Sequence, residues 1–407
     1  MSTKVGVGFS ERVSSLEAGR EAAGIALEKA GIKEGELAIL FSTSKHDPTQ
    51  IRDGVRSVLG PKTRLIGGYG TGVITDEKFG YDGYQMGVAV FSSDTVKFDM
   101  FIETGLADNE YNVGLALGKQ MKDAEFRGTP NTILLYDFVK EKPQVEGMLW
   151  NINWATPLLA GMKESLGTWP PMAGIAMLGD WQANPTYQWF DDRIERHAAM
   201  SLVLSGGVQM NTLIMHGCKP LSDYRTITKA EKNIVLEIDS KPALDVIAEL
   251  LGKERFKEWL DYPFFVIFGV NRGEKFGEFR EDDYACRLLA GVDKQRKGLM
   301  MFEPDLIEGT EIQLMQRNIS DFEYVRNRCE EIINRTKGTK PIFTFYVDCA
   351  GRGSAYSGTE GEEAEVVQEI IGSKMPLLGA YSGTEIALVG DVIQPCVFTG
   401  ILCMFSE

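Results

Sequence analysis

The sequence is poor in residues that hold metals or form sulfur bridges. Its 407 residues include three histidines, His46, His197 and His216, and none lies in HExxH or beside a Cys pair. Metal chemistry is therefore not expected. Six cysteines, Cys218, Cys286, Cys329, Cys349, Cys396 and Cys403, fall in the second half without a CxxC pair. A scattered set of this kind reads as reduced, buried cysteine in a cytoplasmic protein. No apolar run reaches the roughly 18–20 residues that a membrane span needs. The opening, MSTKVGVGFSERVSS, has neither a long apolar core nor a small-residue cleavage site, so no signal peptide is expected. Positive charge is also short. The formal net charge is −15. An acidic surface repels phosphate backbones and anionic lipid, which argues against nucleic-acid and membrane-surface partners.

Nucleotide signatures are missing as well. No GxxxxGK[ST] string occurs. LIGGYGTGVI (65–74) and LLGAYSGTEI (377–386) put glycines after an apolar strand. A dinucleotide loop needs a helix next, with its N-terminus facing the pyrophosphate; here a second strand follows. VGVGFS (5–10) lacks a third glycine. These glycines read instead as turns or bulges that need positive φ and close backbone approach.

What is present fits a folded α/β protein. The chain is 43% hydrophobic and 25% charged. At roughly 150 residues per domain its length suggests two or three domains. Ser14 to Glu17 can cap a helix that stops at Gly31, and Asp47-Pro48 starts a second that stops at Gly60. The order helix, strand, helix, strand, glycine turn, strand recurs about three times, and repetition of a whole unit outranks any one motif. Aligning the units gives a column of Gly67, Gly174 and Gly379. Six positions on, a second column holds Val73, Asp180 and Glu385. A strand-rich block at about 223–318, with a strand at 263–270, separates the second unit from the third. The expected fold is α/β, with mixed parallel and antiparallel sheets and outer helices. The expected domains are 1–222, made of units at about 1–105 and 106–222, and 223–407.

The ordered motifs resemble the FIST family, which joins a FIST N and a FIST C domain. GVGFS, LAILFST, HDPTQIRDGV and RLIGGYGTG resemble the first domain. IVLEIDSKPALDVIAELLG, ACRLLAGVD, EGTEIQLMQRN, VDCAGRGS and PLLGAYSGTEI resemble the second. The resemblance implies a cytoplasmic sensory module that binds a small ligand, an amino acid or small carboxylate, and signals through a partner protein. It also raises a haem-binding gas sensor as an alternative. Val73 stands where the family usually has Glu, so only Glu385 keeps that carboxylate.

The candidate ligand residues follow. Glu385 can accept hydrogen bonds from a ligand ammonium or amide, or it satisfies its own turn. Asp180, beside Trp181, is its expected middle counterpart. Arg352 in GRG can fork onto a carboxylate, or form a structural ion pair. Arg287, in an apolar strand, faces solvent or a buried anion. Tyr381 and Thr384 near Glu385, with Tyr69 and Thr71 in the first turn, complete the set. Trp150, Trp154, Trp169, Trp181 and Trp189 line either an apolar pocket or a core. His197 and His216 are the candidate haem ligands. An enzyme using Cys349 or Glu385 is a further reading, although no triad, metal spacing or cofactor fingerprint supports it.

Overall fold

The computed structural model describes residues 3–141, 151–252, 256–257, 266–318 and 321–407. Trp150 and the first residues of the strand expected at 263–270 lie outside that set. Three six-stranded sheets share one strand order. The first runs Lys4–Ser10, Met86–Ser92, Leu37–Ser42, Arg64–Tyr69, Gln188–Phe190, Arg193–Glu195. The second runs Val96–Thr104, Ala198–Gly206, Asn131–Asp137, Met172–Met177, Glu385–Val389, Val392–Cys396. The third runs Gln209–Met215, Gly400–Ser406, Pro341–Cys349, Leu377–Ser382, Gly72–Thr75, Phe79–Tyr81. In each sheet the third and fourth strands are parallel and the other pairings antiparallel. The fold is thus α/β with mixed sheets.

Each sheet takes its last two strands, a hairpin, from a different stretch of chain. The hairpin 72–81 joins the third sheet, 188–195 the first, and 385–396 the second. The glycine turn therefore does not fold a strand back on its own neighbour. In the first and third cases Gly70-Thr71 and Gly383-Thr384 carry the chain across to another sheet. Strand pairing also crosses residue 222. Gln209–Met215 and Gly72–Thr75 both belong to the sheet built around the C-terminal strands.

Alternation explains the packing. In Leu37–Ser42, Leu37, Ile39 and Phe41 face one core and Ala38 and Leu40 another. The first core is shared by all three sheets, with Ile133, Leu135, Phe343 and Phe345 meeting Ile39 and Phe41. The outer faces are covered by helices: Ser15–Ala30 and Pro48–Leu59 on the first sheet, Glu110–Lys122 and Ala155–Leu166 on the second, Phe322–Arg335 and Glu363–Val367 on the third. Because both faces are buried, the central strands read as continuous apolar runs.

Six further strands close into a barrel. Arg225–Glu231, Ile234–Ile238, Gly298–Met301, Tyr284–Asp293, Ile267–Asn271 and Glu311–Arg317 pair in that order, and the last returns to the first. Ile227, Phe268, Leu289 and Leu299 fill it, and helix Ala243–Leu251 adds Val246 and Ile247.

Gly67, Gly174 and Gly379 lie inside strands, opposite Leu40, Leu134 and Tyr346 of the parallel partners. A Cβ on Gly67 or Gly379 would stand 1.8 Å from the carbonyl oxygen of Leu40 or Tyr346, and on Gly174 2.8 Å from that of Leu134. Close backbone approach, not a turn, is what these positions require.

Candidate functional site

Strand register identifies the middle counterpart of Glu385 as Gln188 rather than Asp180. Ile386, Trp189 and Ile74 face the three column glycines, and Glu385, Gln188 and Val73 each precede them. The sequence alignment missed this because ten residues, 178–187, separate strand from hairpin in the second copy, against two in the others. Gln188 and Glu385 make the same tie. Gln188 Oε1 accepts from Ala198 N at 3.0 Å, and Glu385 Oε2 accepts from Thr399 N at 3.2 Å, each where the second strand of a neighbouring sheet begins. Glu385 also accepts from Ser382 Oγ. It is fully buried, and burial pushes its carboxyl up to about 8 while the Ser382 bond opposes the shift.

A raised carboxyl favours folding in its neutral form. That contribution is full below the unfolded value near 4.5 and is lost as pH rises towards about 8. The stability of the natural protein relative to Glu385→Gln should therefore fall between pH 5 and 8, by up to about 1.4 kcal/mol per pH unit. Urea unfolding of both proteins across that range checks this, and a difference that does not move with pH sinks it.

The other expected ligand residues separate into three places. Arg352 is buried in a charged cluster, with Nε 2.8 Å from Asp348 Oδ1. Its terminal nitrogens donate to Met215 O at 2.6 Å, to Phe398 O at 3.1 Å and to Glu363, which also pairs with Arg317. Burial works against the Arg352 charge, but Asp348, Tyr346, Tyr324 and Cys349 together outweigh it and hold the guanidinium protonated. Arg287 is also buried. It donates to Asp305 at 2.9 and 2.8 Å and to Pro395 O at 2.8 Å, which clamps the hairpin 385–396 to the barrel. Tyr381 lies in the core of the third sheet, with its hydroxyl 3.3 Å from Glu362. Thr384 is buried where the chain crosses sheets, accepting from Ala176 N at 2.8 Å. Tyr69 donates to His46 O and packs its ring 5.5 Å from that of Trp189.

Thr71, Asp180 and Trp181 do come together. They line a pocket of about 490 Å³ with Thr43, Ser44, Lys45, Asp82 and Asn184. It opens at the carboxyl ends of the parallel strands Leu37–Ser42 and Arg64–Tyr69, where α/β sheets place ligands. Asp180 organises its wall: Oδ1 accepts from Gln182 N at 2.9 Å, and Oδ2 accepts from Ser44 Oγ at 2.9 Å and Asn184 Nδ2 at 3.0 Å. Lys45 donates to the Asp82 carbonyl. Tyr356, from the short helix Ser354–Ser357, donates to Asp82 Oδ1 at 2.8 Å, and its ring lies 4.6 Å from that of Trp181, tilted by 53°. Lys45, Ser44, Asp82 and Tyr356 were not among the expected residues. The signal for the first two was the polar TSKHDP that ends an apolar strand.

The tryptophans do not share one wall. Trp154 and Trp169 pack beneath the second sheet's helices, Trp181 against the third sheet's core and Trp189 within the first's. His197 Nδ1 lies 3.5 Å from Asp137, and His216 is buried against Glu281. Cys349 is buried. No helix among the described residues is long and apolar enough to cross a membrane.

Three mixed sheets with a barrel set between two of their strands, and a polar pocket at the strand ends, define the class of protein. The chain belongs to the FIST family: it matches the FIST N domain over residues 36–241 and the FIST C domain over 243–388. FIST domains are associated with sensory signal transduction. An uncharacterized protein of Methanocaldococcus jannaschii is 21% identical over 60% of this chain and 49% of its own length. An uncharacterized protein of Mycobacterium tuberculosis is 23% identical over 54% of this chain and 56% of its own. The chain spans about half the length of these curated relatives. A solved cyanuric acid hydrolase from A. caulinodans aligns with 50% of this chain and 71% of its own, at 8% identity and a TM-score of 0.27.

Proposed function

We propose that this protein is a cytoplasmic small-ligand sensor whose ligand, an amino acid or small carboxylate, binds in the pocket walled by Lys45, Thr71, Asp82 and Trp181. The observation that carries this reading is the convergence of a cation, a carboxylate and an aromatic pair at the strand ends. The Lys45 ammonium suits a ligand carboxylate, the Asp82 carboxylate an ammonium, and the Trp181–Tyr356 ring pair a side chain. Tyr356 comes from the C-terminal part of the chain and Lys45 from the N-terminal part, so a ligand would tie the two together. The output passes to a partner protein.

A thermal-shift panel of amino acids and small carboxylates tests it. A ligand at 100 times its Kd adds about 2.7 kcal/mol. We expect at least one compound to raise Tm by several degrees, and Lys45→Ala and Trp181→Ala each to remove the shift, the first with little change in the ligand-free Tm. A panel with no shift, or a shift indifferent to both substitutions, rejects the site.

A further inference from the structure

The strongest chemistry outside that pocket lies where the third sheet meets the barrel. Strand Gln209–Met215 is the sheet's edge, and Cys218–Pro220 begins pairing with barrel strand Glu311–Arg317. His216 and Gly217 make the link, with Gly217 in the left-handed region at φ 64°. The link presents His216 and Cys218 to Cys286, which comes from barrel strand Tyr284–Asp293. All three side chains are buried. One ligating atom from each lies within 4.8 Å of the others.

The histidine is already oriented as a metal ligand is. Its Nε2 faces the Glu281 carbonyl at 3.3 Å, and Nδ1 accepts from Cys218 N at 2.9 Å. Those partners put the proton on Nε2 and the lone pair on Nδ1. Metal-bound histidines characteristically donate the other ring N–H to a backbone carbonyl or carboxylate, which fixes tautomer and ring angle. The adjacent cysteines supply two soft sulfurs, and Arg317, paired with Cys218 in the ladder, brings positive charge to a site where thiolates must form.

We infer that His216 Nδ1 and the thiolates of Cys218 and Cys286 form a binding site for a soft d10 cation, cuprous copper or zinc. Thiolate ligands select these ions over magnesium or calcium. Binding releases the two thiol protons to solvent, and the Cys218 N bond to Nδ1 gives way to the metal. The ion would rivet the sheet edge to the barrel. The low histidine count and the lack of CxxC hid the set, because Cys286 reaches it only through the barrel's closure.

Full-length reduced protein is titrated anaerobically with cuprous ion held by a chromogenic chelator, and separately with zinc against a fluorescent one. We expect one equivalent bound in at least one arm, a thiolate-to-copper band in the near ultraviolet if copper is the ion, and at least tenfold weaker binding in Cys218→Ser and in Cys286→Ser. Cys403→Ser, in strand Gly400–Ser406 and outside the set, should bind as the natural protein does. No binding in either arm, or binding unchanged in both site variants, overturns the inference. X-ray absorption of the loaded natural protein decides the case without a variant. A first shell with two sulfurs and one imidazole nitrogen supports the site, and one without sulfur overturns it.

Discussion

Arg352→Met should cost about 3–5 kcal/mol of folding stability, the range for removing one partner of a buried ion pair. The methionine fills much of the volume, so the loss reports charge rather than a cavity. Asp348 and Glu363 would be left facing each other's field without the guanidinium, and the Met215 and Phe398 carbonyls would lose a donor. Burial already pushes the Asp348 carboxyl up, with Arg352 opposing that shift. Without the arginine, Asp348 should hold its proton to higher pH, so the deficit should narrow in acid. Urea unfolding at pH 7 and pH 5 checks both statements. A loss below about 1 kcal/mol, the usual ceiling for an exposed pair, would mean that the cluster is solvated.

Gly379→Ala and Gly67→Ala should be as damaging, for a different reason. A Cβ at either position would stand 1.8 Å from a carbonyl oxygen of the neighbouring parallel strand. Backbone cannot step aside as a side-chain tip can, so the strands must part. Overpacking that shifts side chains and backbone costs about 1–3 kcal/mol and occasionally more, and a contact this short belongs at the upper end. Gly24→Ala is the control. A Cβ there meets nothing within 4 Å, and the residue lies inside helix Ser15–Ala30. It should stabilise by about 0.5–1 kcal/mol. Thermal unfolding of the three variants ranks them, and equal Tm values for Gly379→Ala and Gly24→Ala would sink the argument.

Most of the element order was legible because local signals are strong here. Asp47-Pro48 caps its helix through Gln50 N at 2.8 Å, and Gly31 ends the first helix in the left-handed region. The buried strands announced themselves as apolar runs. The destination of each hairpin was not legible, since nothing in GGYGTG says which sheet the next strand joins. That is settled by partners some three hundred residues away, such as Ala380 opposite Val73. The site was half legible for the same reason. Thr71, Asp180 and Trp181, singled out through their turns, line the candidate pocket. Glu385 and Arg352 drew attention as charges in apolar segments, and a charge in such a place is as well explained by internal pairing. Lys45 and Tyr356 meet only through the tertiary fold.

The exchanged hairpins also bear on how the chain is made. Synthesis runs from the amino end, so Gly72–Thr75 emerges long before Leu377–Ser382, the strand that it pairs with. Until then its edge hydrogen-bonding groups have no ladder to join, and the first sheet waits in turn for Gln188–Phe190. The newborn chain therefore exposes an unpaired, apolar strand edge while the residues between the two strands are made, an edge open to wrong pairing and aggregation.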